Sequence, residues 1–440
     1  MTVNKKSEFL SEAMFDHFLE RHTELPKWLV RQKKKSWAEY LDLPAPTRKM
    51  ESWRFANVRD LGVDGFRLAD PVRELDANSL IEQTKSIQQT AGKLVFGNDD
   101  ILAEEPISAE LRSKGVLFEP LQRAFTDHSE ILEEFFMAQE SALGSEKFTA
   151  LHTALNRNGT LLFIPKNVEI ELPIISHYWA QGQQTAVFPH TLVIARDNSK
   201  VTFVDVYRSA EVDAAQLACG VSTVYADPGA KVEYHYIQNW NEDSLSFNRL
   251  TTIAQRDANI RAYGLNLGSK HARSEGHTVL DGPGSKAELY SLAVAHANQE
   301  IDQRTLQSHN APNARSDLLF KNALQNESKT IFSGLIKVAE EAQLTDAYQT
   351  NRNLLLSPTA EANSLPGLEI LANDVRCSHG ATTGQIDENE LFYLLSRGIS
   401  KPTAETLLVF GFFEEVLGKM SNDELAEFHR ERVHRKFEPA

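Results

Sequence analysis

Cysteine is nearly absent. Cys219 and Cys377 are the only two in 440 residues, 158 positions apart. So sparse a supply excludes a disulfide framework and points to a reducing compartment, the cytoplasm. Long apolar runs are missing as well: the longest, such as TLLVFGFF at Thr406–Phe413, fall far short of the roughly 18 residues a membrane-spanning helix needs. The opening stretch MTVNKKSEFLSEAMFDHFLERH has no continuous apolar core, and its Glu8, Glu12, Asp16 and Glu20 argue against an organellar targeting segment. Basic residues are outnumbered, 46 to 61, and the net charge of −15 excludes the footprint of a general nucleic-acid binder. The one basic run, Arg31 to Lys35, reads as the solvated face of a helix. Several chemical templates are absent too. There is no phosphate-binding P-loop, no His-Glu-x-x-His, no Cys-x-x-Cys and no Gly-x-Ser-x-Gly. Gly264 and Gly268 lack dinucleotide-binding spacing and read as loop glycines.

What is present falls into three regions. Over residues 1–155 the pattern is helical: Phe9, Leu10, Met14, Phe15, Phe18 and Leu19 recur at spacings of three and four, and Ile131, Leu132, Phe135 and Phe136 repeat the stripe. Near Gly159 the texture changes to short alternating runs, such as KVTFVDVY and KVEYHYIQNW, separated by Gly, Pro, Asn and Asp. A turn with a small residue precedes Lys200, Lys231, Asn259, Lys286, Arg315 and Lys329, at intervals of 31, 28, 27, 29 and 14. The last is half of the others, as if each period held two strands. A regular period with no helix inside it predicts a parallel β-helix over residues 156–380, whose open edges must be covered or paired. Helices return over 381–440: one ends at Gly398, one runs from Thr403 to Leu417 after Pro402, and Ser421 with Glu424 reads as the capping box of the last.

His271, His277, His296 and His309 are scattered over the strands and read as hydrogen-bonded polar residues. Cys377 and His379 form a sharper pair. In an extended segment they project to the same side. A neighbouring imidazolium favours the thiolate that binds soft metals. Two donors do not complete a metal site, and a turn that happens to hold a thiol is the rival reading.

The strings HNAPNARSDLLFKNAL (309–324), FSGLIKV (332–338), AQLTDAYQTNRNLLLS (342–357) and PGLEILANDVRCSHGATTGQIDENELFYLLSRGIS (366–400), with the LVFGFF close and the early PTRKMESWRF (46–55), are collinear with a known family. The chain resembles the SufB/SufD family of iron–sulfur cluster assembly proteins, within it the SufD branch. That resemblance implies a mainly β fold, a right-handed parallel β-helix core flanked by N-terminal and C-terminal α-helical domains. It implies a non-ATPase subunit that pairs with a SufB-like paralogue and a SufC-like ABC-type ATPase and supports iron acquisition and cluster assembly, without enzymatic activity of its own. His379 matches the histidine taken to face SufB across the seam between the two β-helices, and Cys377 matches its neighbour. Iron, or a nascent cluster shared with SufB, would be held there only transiently. Arg397, Gly398, Phe410, Phe412 and Phe413 match the helical end that docks the ATPase. SufB reads His-Glu-Ala-Thr where this chain has His379-Gly380-Ala381-Thr382, so no carboxylate is offered there.

Two rival readings belong to other classes. One is a purely structural subunit that holds SufB and SufC without touching iron. The other, remote, is a polysaccharide-active β-helix enzyme, for which no cluster of carboxylates is visible. The sequence leaves open whether the isolated chain pairs with itself as a homodimer, whether the full complex binds a flavin, and what Cys219 does.

Overall fold

The turns before the strands dictate the architecture. A computed structural model describes residues 10–85, 87 and 89–437, so Phe9 of the first apolar stripe lies outside the described residues. Two residues before the strand starts Lys200, Lys231, Asn259, Lys286 and Arg315, the backbone is left-handed: Asn198, Gly229, Asp257, Gly284 and Asn313 have φ between 55° and 73°. Only Gly, or short polar residues such as Asn and Asp, adopt this conformation cheaply, so the turn chemistry repeats with the period. The strand starts then stack. Lys200 pairs with Lys231, Lys231 with Asn259, Asn259 with Lys286 and Lys286 with Arg315. Lys329 stands in the opposite sheet, between Glu300 and Glu361, which explains its half interval.

Among the described residues two largely parallel sheets result, of eleven and ten strands, and the chain alternates between them in a parallel β-helix. It runs from Thr160 to Gln385, a few residues beyond the expected boundary. Inward residues stack in columns: Phe203 lies over Tyr234 at 6.1 Å and Tyr178 over Tyr207 at 5.1 Å between ring centroids. Gly268 permits a close approach, since a Cβ there would fall 1.9 Å from the Trp240 carbonyl oxygen.

Helices cover the outer faces. Glu12–Glu20, Lys27–Asp42 and Glu146–Leu155 bring Phe15, Trp37, Phe148 and Leu151 onto Leu217 and Phe247 of the larger sheet. Lys401–Leu417 and Asp423–Arg435 bring Val409, Phe413, Val416 and Phe428 onto Tyr263, Tyr290, Leu292 and Leu319 of the other.

Three sequence expectations need correction. The N-terminal region also contains strands, Gly92–Gly97, Asp100–Glu105 and Leu117–Pro120, that extend both sheets. A short, fully buried run such as Leu94-Val95-Phe96 carries no periodicity to distinguish strand from helix. Within the basic run, Lys33 is buried, its ammonium donating to the carbonyls of Thr153, Ala154 and Asn156 at a helix end, and burial pushes its pKa down to about 7. The last helix is capped by Asn422, which accepts from the Leu425 amide, while the Ser421 hydroxyl donates to Glu233 at 2.7 Å.

Candidate functional site

The two ends of the β-helix are finished differently. At the N-terminal end Asp100–Glu105 pairs antiparallel with Gly92–Gly97, and Leu117–Pro120 with Thr160–Ile164. At the other end the last strands, Glu361–Ile370 and Val375–Gln385, each pair on one side only among the described residues. A row of unpaired N–H and C=O groups is thus presented there.

Cys377 and His379 lie on this last strand, so the segment is a strand and not a turn. In register, Cys377 stands over Ala347, His379 over Gln349, Ala381 over Asn351 and Thr383 over Asn353. All four lower residues are buried in the interior of the β-helix. Asn353 Nδ2 donates to Thr383 Oγ1 at 3.3 Å, and Cys377 packs with Ala347, Ile336 and Val338. Cys377 and His379 therefore share the inner face, as their spacing predicts, at the mouth of the lumen. Cys377 is half-buried and His379 exposed.

The surrounding columns end in the same abrupt way. Leu368 continues the Ile336 column and Ile370 the Val338 column. Ile336 and Val338 are fully buried, whereas Leu368 and Ile370 are each 37% exposed, with Leu371 beside them at 59%. Interior columns that stop in solvent are what a further turn of β-helix would cover. Beneath them the lumen is polar. Asn322 Nδ2 donates to Asn353 Oδ1 at 2.9 Å, Asn353 Nδ2 to Asn351 Oδ1 at 2.9 Å, and the Ser364 hydroxyl to Asn351 Oδ1 at 2.6 Å.

The electrostatics differ from the expectation of an activated thiolate. Burial, and behind it the Asp346 carboxylate, push the Cys377 thiol above its ordinary value. Protonated, it is the weaker donor of the two until a cation displaces its proton. Among the described residues no three His, Cys, Asp or Glu side chains gather where they could hold a metal ion.

The remaining candidates lie elsewhere. Arg397 is exposed with its guanidinium over the Tyr393 ring, 5.1 Å from the centroid, and Gly398 ends its helix at φ +82°. Phe410 is half-buried against His434, and Phe412 lies under the Lys321 ammonium. Phe413 is fully buried between helix and sheet, so its ring belongs to the core. What sequence reasoning missed on this helical end are Phe392 and Tyr393, 71% and 58% exposed, with Leu407. The signal was legible in ENELFYLLSRG, where five consecutive apolar residues exceed what one buried stripe can hold. His277, His296 and His309 are occupied, by Ser308, Glu242 and Ser316 at 3.0, 2.6 and 2.8 Å. His271 is buried, 3.6 Å from Asp60. Cys219 is buried beneath the N-terminal helices, and burial raises its thiol pKa. No helix among the described residues is long and apolar enough to cross a membrane.

Comparison with known proteins adds a consistent finding. Residues 178–412 match the family model described as the SUF system FeS cluster assembly, SufBD core domain, and residues 13–175 match the SufBD protein N-terminal region. The chain is 31% identical over 426 residues to the iron-sulfur cluster assembly protein SufD of Bacillus subtilis, covering 96% of each chain. It is 24% identical over 420 residues to a SufBD family protein of Staphylococcus saprophyticus, covering 92% of this chain and 89% of the relative. A SufBD family protein of Staphylococcus aureus strain USA300 is 25% identical over 418 residues, with 92% and 88% covered.

Proposed function

The chain belongs to the SufB/SufD family of iron–sulfur cluster assembly proteins, and on that footing we propose that it serves as the non-ATPase, SufD-type subunit of a cytoplasmic SUF complex. In this reading its open β-helix end joins that of a SufB-like paralogue, while the C-terminal helices carry a SufC-like ABC-type ATPase. The observation that supports it most is the set of interior columns ending in solvent, with Cys377 and His379 at their mouth.

The chemistry fits a shared site. Iron and the nascent cluster are the cargo, and a cluster takes about four donors. Neutral imidazole is a borderline ligand for Fe²⁺ and thiolate a soft one. This chain offers two donors on one strand, so the partner or sulfide supplies the rest. With the Cys377 thiol held protonated, His379 is the first donor to iron and Cys377 follows once the metal displaces its proton. A site closed only between two chains opens when an ATPase moves them apart. Exposed Phe392, Tyr393 and Leu407, with Arg397, Gly398 and Phe410 near them in sequence, give the ATPase an apolar surface.

The test replaces His379 in cells that lack the native gene. His379→Ala is expected to assemble with the paralogue and the ATPase, yet to lose maturation of cluster enzymes by tenfold or more. Normal maturation with an intact complex would leave a purely structural subunit.

A further inference from the structure

Gln349 stands directly beneath His379 in the parallel ladder, so their Cβ atoms are about 4.8 Å apart, the spacing of paired strands. It is only 1% exposed. Its Nε2 donates to the Gly334 carbonyl at 3.3 Å, which fixes the end of the amide that carries oxygen. The other end, Oε1, is buried with no hydrogen-bond partner. An orphaned acceptor in a polar interior is an exception that calls for a reason.

The opposite wall is shaped around this amide. A Cβ on Gly334 would fall 2.5 Å from Gln349 Oε1, 2.6 Å from Cδ and 2.7 Å from Nε2. Glycine is therefore what lets the amide reach across the lumen. Above it lies the last turn, where the Gln349 column continues as His379 and the Gly334 column as Pro366. Proline has no N–H to offer, so the donor available at this level in these two columns is the imidazole.

We propose that Gln349 is a positioning residue for His379: its Oε1 accepts the N–H of one ring nitrogen, fixes the tautomer, and leaves the lone pair of the other nitrogen facing out of the open end. Histidines that ligate metals generally donate their second N–H to a carbonyl or carboxylate, and a neutral amide does so without adding charge to the site. The inference rests on the reading of His379 as a donor to iron, because only then does the outward lone pair have a use. Gly334 takes part indirectly, by leaving room for the amide.

The test is made on the isolated full chain carrying ring-¹⁵N-labelled histidine, with the His379 signals identified through His379→Gln. Spectra are recorded at alkaline pH, where the two ring-nitrogen shifts report the tautomer. The native chain is expected to show two widely split shifts. Gln349→Met, and independently Gly334→Ala, should draw them together toward the average of two tautomers, while Gln349→Glu, which keeps an acceptor, should retain the split. Averaged shifts in the native chain, or a split unchanged in both Gln349→Met and Gly334→Ala, would overturn the proposal. If Gln349→Met does not fold, the other two variants decide it. The maturation assay of His379→Ala is separate: a tautomer that depends on Gln349, in a chain whose His379 proves dispensable, would remove the functional reading and leave the contact standing.

Discussion

The closed and open ends of the β-helix are built from the same repeating turn, yet they behave as different materials. At the closed end short antiparallel strands cap both sheets, helices cover the outer faces, and residues such as Leu94, Phe96 and Leu161 are almost wholly buried. At the open end the same inward columns end in half-exposed or exposed side chains, among them Leu368, Ile370, Cys377 and His379. Since the backbone geometry is shared, the difference lies in what covers the last rung. A β-helix buries its core only where a further layer exists, and the last rung of this chain, among the described residues, has none above it.

The largest effect expected from this contrast is that of pH on the buried body. Burial pushes His152 and His429 down to about 3, and His277 and His309 down to about 4. Each folded value lies below the unfolded value near 6.5, so the unfolded chain binds more protons across the interval. The contribution of these rings is therefore full above about 6.5 and falls as pH drops toward 4, by up to about 1.4 kcal/mol per pH unit for each. It is partly offset by Asp99 and Asp205, whose carboxyls burial pushes up to about 6 and about 7. Denaturant unfolding at pH 7, 5.5 and 4.5 checks the sign; a midpoint constant over that range would contradict it.

Next comes a pair of truncations. Phe203→Ala, in the fully buried lumen, should cost about 3–5 kcal/mol, and Cys377→Ala at the mouth less than about 1 kcal/mol. Equal costs would mean that the open end is a finished core. A smaller and more local difference is expected in hydrogen exchange. Amides on the free side of Val375–Gln385 should exchange near the rate of unprotected backbone, whereas those of Gln216–Ala226, paired on both sides, should survive until global unfolding.

Much of the body was legible because its period is chemical. The left-handed turn residue recurs two positions before the strand, and the half interval to Lys329 reports the second sheet. Helix ends marked by Pro402 and Gly398 were legible for the same local reason. Tertiary burial overrode local signals elsewhere: Lys33 goes inward because a helix end offers it carbonyls, and Phe413 belongs to the core although its neighbours suggest a surface. For the site, the spacing of Cys377 and His379 told that they share a side. It could not tell which side, or that the strand is the last. Those facts depend on register across whole turns, which places Gln349 and Gly334 at the site from 30 and 45 residues away in sequence.

The most direct test of the open end as a seam is site-specific photocrosslinking in cells that also make the SufB-like paralogue and the ATPase. One chain carries benzoylphenylalanine in place of Ser378 on the last strand, another in place of the exposed Glu105 at the closed end. Crosslinks to the paralogue from position 378 and none from 105 are what the account predicts. Crosslinks from 105 alone would contradict it.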